Sequence, residues 1–449
     1  MSAVKIITRE TIKPSSPTPD HLRNYNLCLL DQLCPSMYSP IVLFYSAINP
    51  NKKISNEKSH LDLLKKSLSE TLTHFYPFAG RFKDSFTIDC NDDGAVFVEA
   101  HVHGDMSAIL KKPEIDQLEQ LLPFNTLQKT DKLNELVILG VQVNHFECGG
   151  VAIGVSIWHS IADAATLASF VKIWSTFARG GGAAEKIDVS GVVFDCTSLF
   201  PPQDLSGFST GEYIKKDLLP KIVTKKFFFD GSKIAAIREK ISDGPCLDQP
   251  TRVEAVSALI WGAVIASISA HQEDDQNPPP LHVAVNLVNL RQRMNPPLPE
   301  HCLGNIIQMT IAAWPGEMPV DYNGLAGRLR ESIQMMKGDY LRKLHENGGY
   351  LNFIKQAGEM HGNGSSMKGV FSFSSWCRFP FYETDFGWGL NKPIWVASAM
   401  RLDKLAILVD ASDGHGIEAW VGMTKDEMLK FEQDPGILAF ASSNPTISA

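Results

Sequence analysis

The run His159-Ser160-Ile161-Ala162-Asp163 sets an imidazole four positions ahead of a carboxylate. Histidine, with an ordinary pKa of roughly 6.5, takes and returns a proton easily near neutral pH. On a helix Asp163 would lie one turn further on, where it could orient the ring or turn away into a salt bridge. Taken alone the pattern also describes a histidine with a purely local hydrogen bond. A second cluster, Asp385-Phe386-Gly387-Trp388-Gly389, joins a carboxylate to two large rings and two glycines. Glycine permits positive φ and close backbone approach, so this reads as a tight turn in which Asp385 holds an arginine.

Other chemistries find less support. The chain has no GxxxxGK[ST] phosphate loop, no HExxH zinc motif and no GxSxG nucleophile elbow. Gly362-Asn363-Gly364 begins like a dinucleotide loop but reaches Met367 where a glycine is needed. His101-Val102-His103 would share one face of a strand, yet two histidines are too few ligands, and no metal is expected.

The elements that must position His159 follow from periodicity. Val137, Leu139, Val141 and Val143 alternate as in a strand, Gly149-Gly150 supplies a turn, and residues 151–158 alternate again. The spacing predicts a hairpin there. A helix follows directly, with Ala164, Leu167, Val171 and Trp174 on one face. His159 thus falls where a strand ends and a helix begins, a junction that commonly faces a cleft. Leu61, Leu64, Leu68 and Leu72 mark an amphipathic helix over 57–76. Further on, 225–241 reads as strand then helix, 251–268 as an apolar helix, and 281–290 as a strand ending in Arg291-Gln292-Arg293. LAILVD and GIEAWVGM are strand-like, and TKDEMLKFE is an acidic helix.

A length of 449 residues exceeds what one core usually covers, so two domains are expected. The aperiodic, Pro- and Gly-containing stretch at 200–224 reads as a crossover linker between residues 1–199 and 225–449. Net charge is 42 − 50 = −8, with no basic stripe for nucleic acid. No apolar run of 18 residues or signal-peptide core occurs, so no membrane partner is expected. Cysteines at 28, 34, 90, 148, 196, 246, 302 and 377 form no CxxC pair, which suits a reduced, cytoplasmic protein.

HSIAD at 159–163 and DFGWG at 385–389, about 220 residues apart, together resemble the plant BAHD acyltransferases. The likeness extends through LLDQL at 29–33, FYPFAGR at 75–81, DCNDDGAVFVEA at 89–100 and FECGGVAIGVSIWH at 146–159. It continues in NLRQRMNPPLP at 289–299, LGN at 303–305, FSFSSWCRFPFY at 371–382 and GIEAW at 416–420. These phrases look most like the branch of vinorine synthase-like alkaloid acetyltransferases and alcohol acetyltransferases.

The resemblance implies two similar α/β domains with mixed sheets, like chloramphenicol acetyltransferase subunits, with an active-site channel between them. It implies that His159 is the general base for direct attack of an alcohol on a CoA thioester, without an acyl-enzyme. Asp163 would pair with Arg291 as structural support, and Asp385 would support the fold from a distance with Phe386, Gly387, Trp388 and Gly389 of its loop. Ser374 and Trp376 match positions near the oxyanion, and Thr251 matches a position near the CoA nucleotide. Trp158 stands where the branch carries a small or polar residue, which would narrow the acceptor side. Leu390-Asn391 lengthens the segment after DFGWG by two residues. No permanently bound cofactor is implied, with acetyl-CoA or another acyl-CoA as co-substrate. The acceptor would be a small alcohol, first an alkaloid, with volatile or terpenoid alcohols and N-acylation as alternatives. A monomer is implied. A thioesterase and a silent binding protein are the competing readings.

Overall fold

The computed structural model describes residues 4–47, 57–127, 132–180, 189, 192–194, 196–205, 221–269, 281–299, 301–352, 369–387 and 392–443. Among these residues two mixed sheets dominate. The first has six strands: β1 (Val4–Ile12), β2 (Tyr38–Tyr45), β3 (Ala95–Val102), β4 (Leu139–Phe146), β5 (Val151–Trp158) and one strand from far downstream. The second has seven: β6 (Ile222–Phe229), β7 (Leu281–Asn289), β8 (Ile307–Pro315), β9 (Val370–Ser375), β11 (Leu405–Asp410), β12 (Ile417–Thr424) and β13 (Ser442–Ser443). The downstream strand of the first sheet is β10 (Trp395–Ser398), antiparallel to β2. The orders are β1-β3-β4-β5-β2-β10 and β8-β7-β9-β11-β12-β6-β13. The β3–β4, β7–β9 and β9–β11 pairs are parallel, and the others are antiparallel.

The hairpin forms as the alternation predicts, β4 against β5, with Val141 opposite Val155. Gly149 supplies the positive φ of its turn, +84°. The helices used below are α1 (Leu29–Gln32), α2 (Glu57–His74), α3 (Ala164–Ala178), α4 (Gly231–Ser242), α5 (Arg252–Ser269) and α6 (Tyr322–Gln334). The leucine stripe of α2 packs on α3, where the Trp174 indole N–H donates to Ser67 Oγ at 3.1 Å. α4, α5 and α6 cover one face of the second sheet, through Ile237, Trp261 and Leu325 against Ala284, Phe371 and Phe373.

Two findings bear on the division of the chain. Strand β6 begins at Ile222, so residues 222–224 are strand rather than linker, and residues 206–220 lie outside the described set. Strand β10 comes from the downstream half but joins the first sheet. Its Trp395 ring stacks on Phe44 of β2 and on Trp420 of β12. The Trp395 indole N–H donates to Glu418 at 2.7 Å, and that carboxylate also meets the fully buried Lys226 amine at 3.2 Å. A buried ion pair survives only when its remaining hydrogen bonds are satisfied, and Trp395 supplies one from the other sheet. The crossing strand therefore ties the two layers together with both apolar and polar contacts.

Candidate active site

His159 follows directly on Trp158, the last residue of β5. Its backbone N–H donates to Met37 O at 2.9 Å, and His159–Ile161 form a single 3-10 turn before α3. Asp163 is not one helical turn along from the imidazole. It is the N-cap of α3, with extended backbone, and accepts the Thr166 N–H at 2.8 Å. The helix starts later than periodicity suggests because an N-cap carboxylate satisfies an N–H that has no partner within the helix.

From the cap, Asp163 turns away from the imidazole. Arg291 grips it through Nη1 to Oδ2 at 2.8 Å and Nη2 to Oδ1 at 3.1 Å, and the side chains are 4% and 2% exposed. Ile306 N–H adds a bond at 3.0 Å. Arg291 also donates from Nε to Cys302 O at 2.8 Å and from Nη2 to Thr166 Oγ1 at 3.0 Å, while Thr166 Oγ1 donates to Gly304 O at 2.9 Å. Burial alone would raise the Asp163 pKa, but the Arg291 charge and these hydrogen bonds reverse it and hold the carboxyl below its ordinary range. The pair thus pins segment 302–306 against the start of α3.

That segment delivers Asn305 to the imidazole. Asn305 Nδ2 donates to His159 O at 2.7 Å, so its Oδ1 is the end facing the ring, 3.2 Å from Nδ1. An amide oxygen only accepts, so Nδ1 carries the hydrogen and Nε2 keeps its lone pair. Burial lowers the His159 pKa, against the opposing pull of its own backbone carbonyl, the Asp163 charge and the Asn305 bond. The half-buried ring is therefore neutral at physiological pH and presents a basic nitrogen. Asn305 is a residue that motif reading passed over. Its only signal was its place in the family-like phrase LGN, and its partner lies 146 positions away.

Other expected residues are placed differently. Asp385 lies at the far end of α3 from Asp163, across 15 residues or about 22 Å of helix. Its Oδ1 accepts the Gly387 N–H at 2.7 Å, and Arg179 approaches Oδ2 at 3.5 Å. Phe386 is fully buried against Trp174 and Tyr45, and Gly387 takes φ +75°. Trp388 and Gly389, with Leu390 and Asn391, lie outside the described residues. Trp158 is buried and T-shaped to the Tyr38 ring, which also stacks on Phe124. The Trp376 ring packs on Phe381, and its backbone N–H donates to Leu408 O. Ser374 is half-buried in β9, opposite Leu287 of β7. Thr251 caps α5, its hydroxyl accepting the Glu254 N–H at 3.2 Å. The structure thus brings together His159, Asp163 and Arg291, and sets Asp385 and Thr251 apart from them. His103, half of the two-histidine motif, bonds Glu147 at 3.1 Å on the surface.

A family model described as Transferase family matches residues 2–438. The epi-neemfruitin B synthase L1AT of Melia azedarach is 47% identical over 99% of both chains. The limonoid 1-O-acetyltransferase of Citrus sinensis is 46% identical over 98% of this chain and 99% of its own. The salutaridinol 7-O-acetyltransferase of Papaver somniferum is 37% identical over 96% and 97%. Among solved structures, vinorine synthase aligns with a TM-score of 0.82 at 36% identity, over 98% of this chain and 99% of that one. The F. sporotrichioides TRI101 complex with coenzyme A and T-2 shares the fold, with a TM-score of 0.72 at 18% identity over 94% and 100%.

Proposed function

This chain belongs to the plant BAHD transferase family, and from that premise we propose that it moves an acetyl group from acetyl-CoA to a hydroxyl of a limonoid-type terpenoid, with His159 as general base. The observation that carries the mechanism is the hydrogen-bond pattern around the imidazole. Nδ1–H is engaged by Asn305, so Nε2 is the free base.

Nε2 takes the acceptor's hydroxyl proton as the oxygen forms a bond to the thioester carbonyl carbon. The carbonyl electrons move to oxygen, giving a tetrahedral oxyanion. Ser374 and Trp376 are proposed to supply donors to that oxygen, as hydroxyl and indole N–H groups suit. The oxyanion collapses, the carbon–sulfur bond breaks, and the thiolate takes the proton from the imidazolium. A thioester is already activated, so no acyl-enzyme is required. Thr251 belongs to the proposed nucleotide end of CoA. Residues 1–199 and, with the whole of β6, 222–449 are proposed as the two domains, apart from crossing strand β10, with the substrate channel between them. A cytoplasmic monomer completes the reading.

The acceptor class draws support from two sides. The limonoid O-acetyltransferases of Citrus sinensis and Melia azedarach are 44–46% identical to this chain, and the salutaridinol and stemmadenine O-acetyltransferases 36–37%, which moves the alkaloid acceptor to second place. The second sheet also has an aliphatic face suited to a bulky apolar alcohol. Along β7, Ala284, Asn286 and Val288 are buried, while Val283, Val285 and Leu287 are half-buried on the opposite side. Ile307 and Ile311 of β8 continue that side, with Ser372 and Ser374 of β9 beside it. Ile307 follows Asn305 by two residues, so this face begins next to the His159 site.

A matrix of acyl-CoA donors against limonoid, alkaloid and volatile alcohols and amines, read by mass spectrometry, tests the proposal. An acetyl ester with limonoid alcohols is the expected product. Ester only with an alkaloid would overturn the acceptor class. Release of CoA without any acceptor would instead mark a thioesterase.

A further inference from the structure

Asn305 holds the imidazole, and something must hold Asn305. An amide side chain flips easily between two orientations of similar shape, and only its partners decide which end faces the ring. Beyond His159 O, those partners lie on α1. Asp31 is fully buried. Its Oδ1 accepts both the Asn305 backbone N–H at 2.8 Å and Asn305 Nδ2 at 3.0 Å. Its Oδ2 accepts the Cys28 N–H at 3.1 Å. Burial raises the Asp31 pKa, and the N–H donors from Asn305 and Cys28 oppose the rise.

We propose that Asp31 is a positioning residue for catalysis, which sets the tautomer of His159 by fixing the orientation of the Asn305 amide. Backbone N–H groups can only donate, so those of Cys28 and Asn305 require acceptors, and the carboxylate of Asp31 meets both. Nδ2 of Asn305 then lies between two oxygens, Asp31 Oδ1 and His159 O. A flipped amide would set oxygen against oxygen at both places and an N–H against the ring N–H. Each such mismatch leaves a buried polar group unpaired, so the flip is excluded while Asp31 is present. The relay runs from α1 to the loop before β8 and back to the end of β5. It joins residues separated by 274 and then 146 positions. It is distinct from the Asp163–Arg291 pair, which holds the backbone of the same loop from its other side through Ile306.

This inference rests on His159 acting as the base, and its test separates the two. Nitrogen-15 NMR of histidine-labelled wild-type protein, without substrate, reads the tautomer directly. The expected signal for His159 is Nδ1–H with an unprotonated Nε2, and a resting Nε2–H tautomer would overturn the relay. Asp31→Ala is expected to mix the two tautomers and to lower kcat on the order of 100-fold with KM for acetyl-CoA unchanged, as small misplacements of catalytic groups do. Asp31→Asn keeps one acceptor oxygen in place of two, so either the Asn305 donors or the Cys28 N–H faces its NH2, and it is expected to recover part of that loss. In a double-mutant cycle, Asp31→Ala in an Asn305→Ala background is expected to cost nothing further. Additive losses, or an Asp31→Ala protein with wild-type kcat and tautomer, would overturn the proposal. Should Asp31→Ala not fold, Asp31→Asn decides it: a lowered kcat with mixed tautomers is expected, and wild-type kcat and tautomer would overturn the proposal. Turnover surviving His159→Ala would defeat the base assignment without changing the tautomer result.

Discussion

The central strands of the first sheet and the β7–β8 pair of the second treat their surfaces differently. In the first, β2 and β5 are buried at every position, and β4 at every position but His145. In the second, β7 and β8 alternate between buried and half-buried along most of their length. A strand buried on both sides reads as a near-continuous apolar run, and VAIGVSIW and YSPIVLFY do. A strand with one accessible side keeps period two, yet in β7 and β8 the accessible side is still aliphatic. Leu287, Val285 and Ile311 are not what solvent alone would select there. The central strands of the first sheet form a buried support that leads into His159, the proposed base. The β7–β8 pair keeps a half-buried aliphatic face, the one proposed to receive the acceptor, and residues 302–306 lie between it and His159.

Breaking the support should have the largest effect. Asp163→Ala leaves Arg291 charged and buried without its carboxylate, so a loss of about 3–5 kcal/mol is expected in chemical denaturation, with activity lost as well. Leu43→Ala, at a fully buried position of β2, is expected to cost about 2–5 kcal/mol by the same measurement. Leu287→Ala on the half-buried face should cost only about 1 kcal/mol. It should nevertheless change the ratio of kcat/KM between a bulky and a small alcohol on the order of tenfold. A change in stability without a change in that ratio would show that this face is ordinary packing.

The smallest expected effect is on pH dependence. Burial lowers the His159 pKa in the folded chain, so the unfolded chain binds this proton more readily. The neutral ring's contribution to stability is therefore present above roughly pH 6.5 and is lost as pH falls below it. The acid limb of kcat/KM should likewise lie below the value of a free histidine. A limb above roughly pH 6.5 would contradict the burial of the ring.

Local periodicity made much of this legible. The leucine stripe of α2, the hairpin around Gly149 and the strand at 281–290 appear where their spacing places them. The His159 junction follows from the same pattern. What periodicity could not show is where distant segments pair. Nothing in Trp395–Ser398 announces that it joins β2 rather than its sequence neighbours. Asp163 looked like a helical neighbour of His159 because the four-residue spacing is ambiguous between a helix interior and an N-cap. Asn305 and Asp31 carry no spacing signal at all, since their contacts exist only after both sheets have assembled.

The most direct test of the account compares acceptor-dependent CoA release by the wild-type protein and by His159→Ala, each checked for native thermal unfolding. If the imidazole removes the acceptor's proton, its loss should lower the rate about 10²–10⁴-fold in a protein that still folds. A folded His159→Ala protein that turns over at the wild-type rate would contradict it.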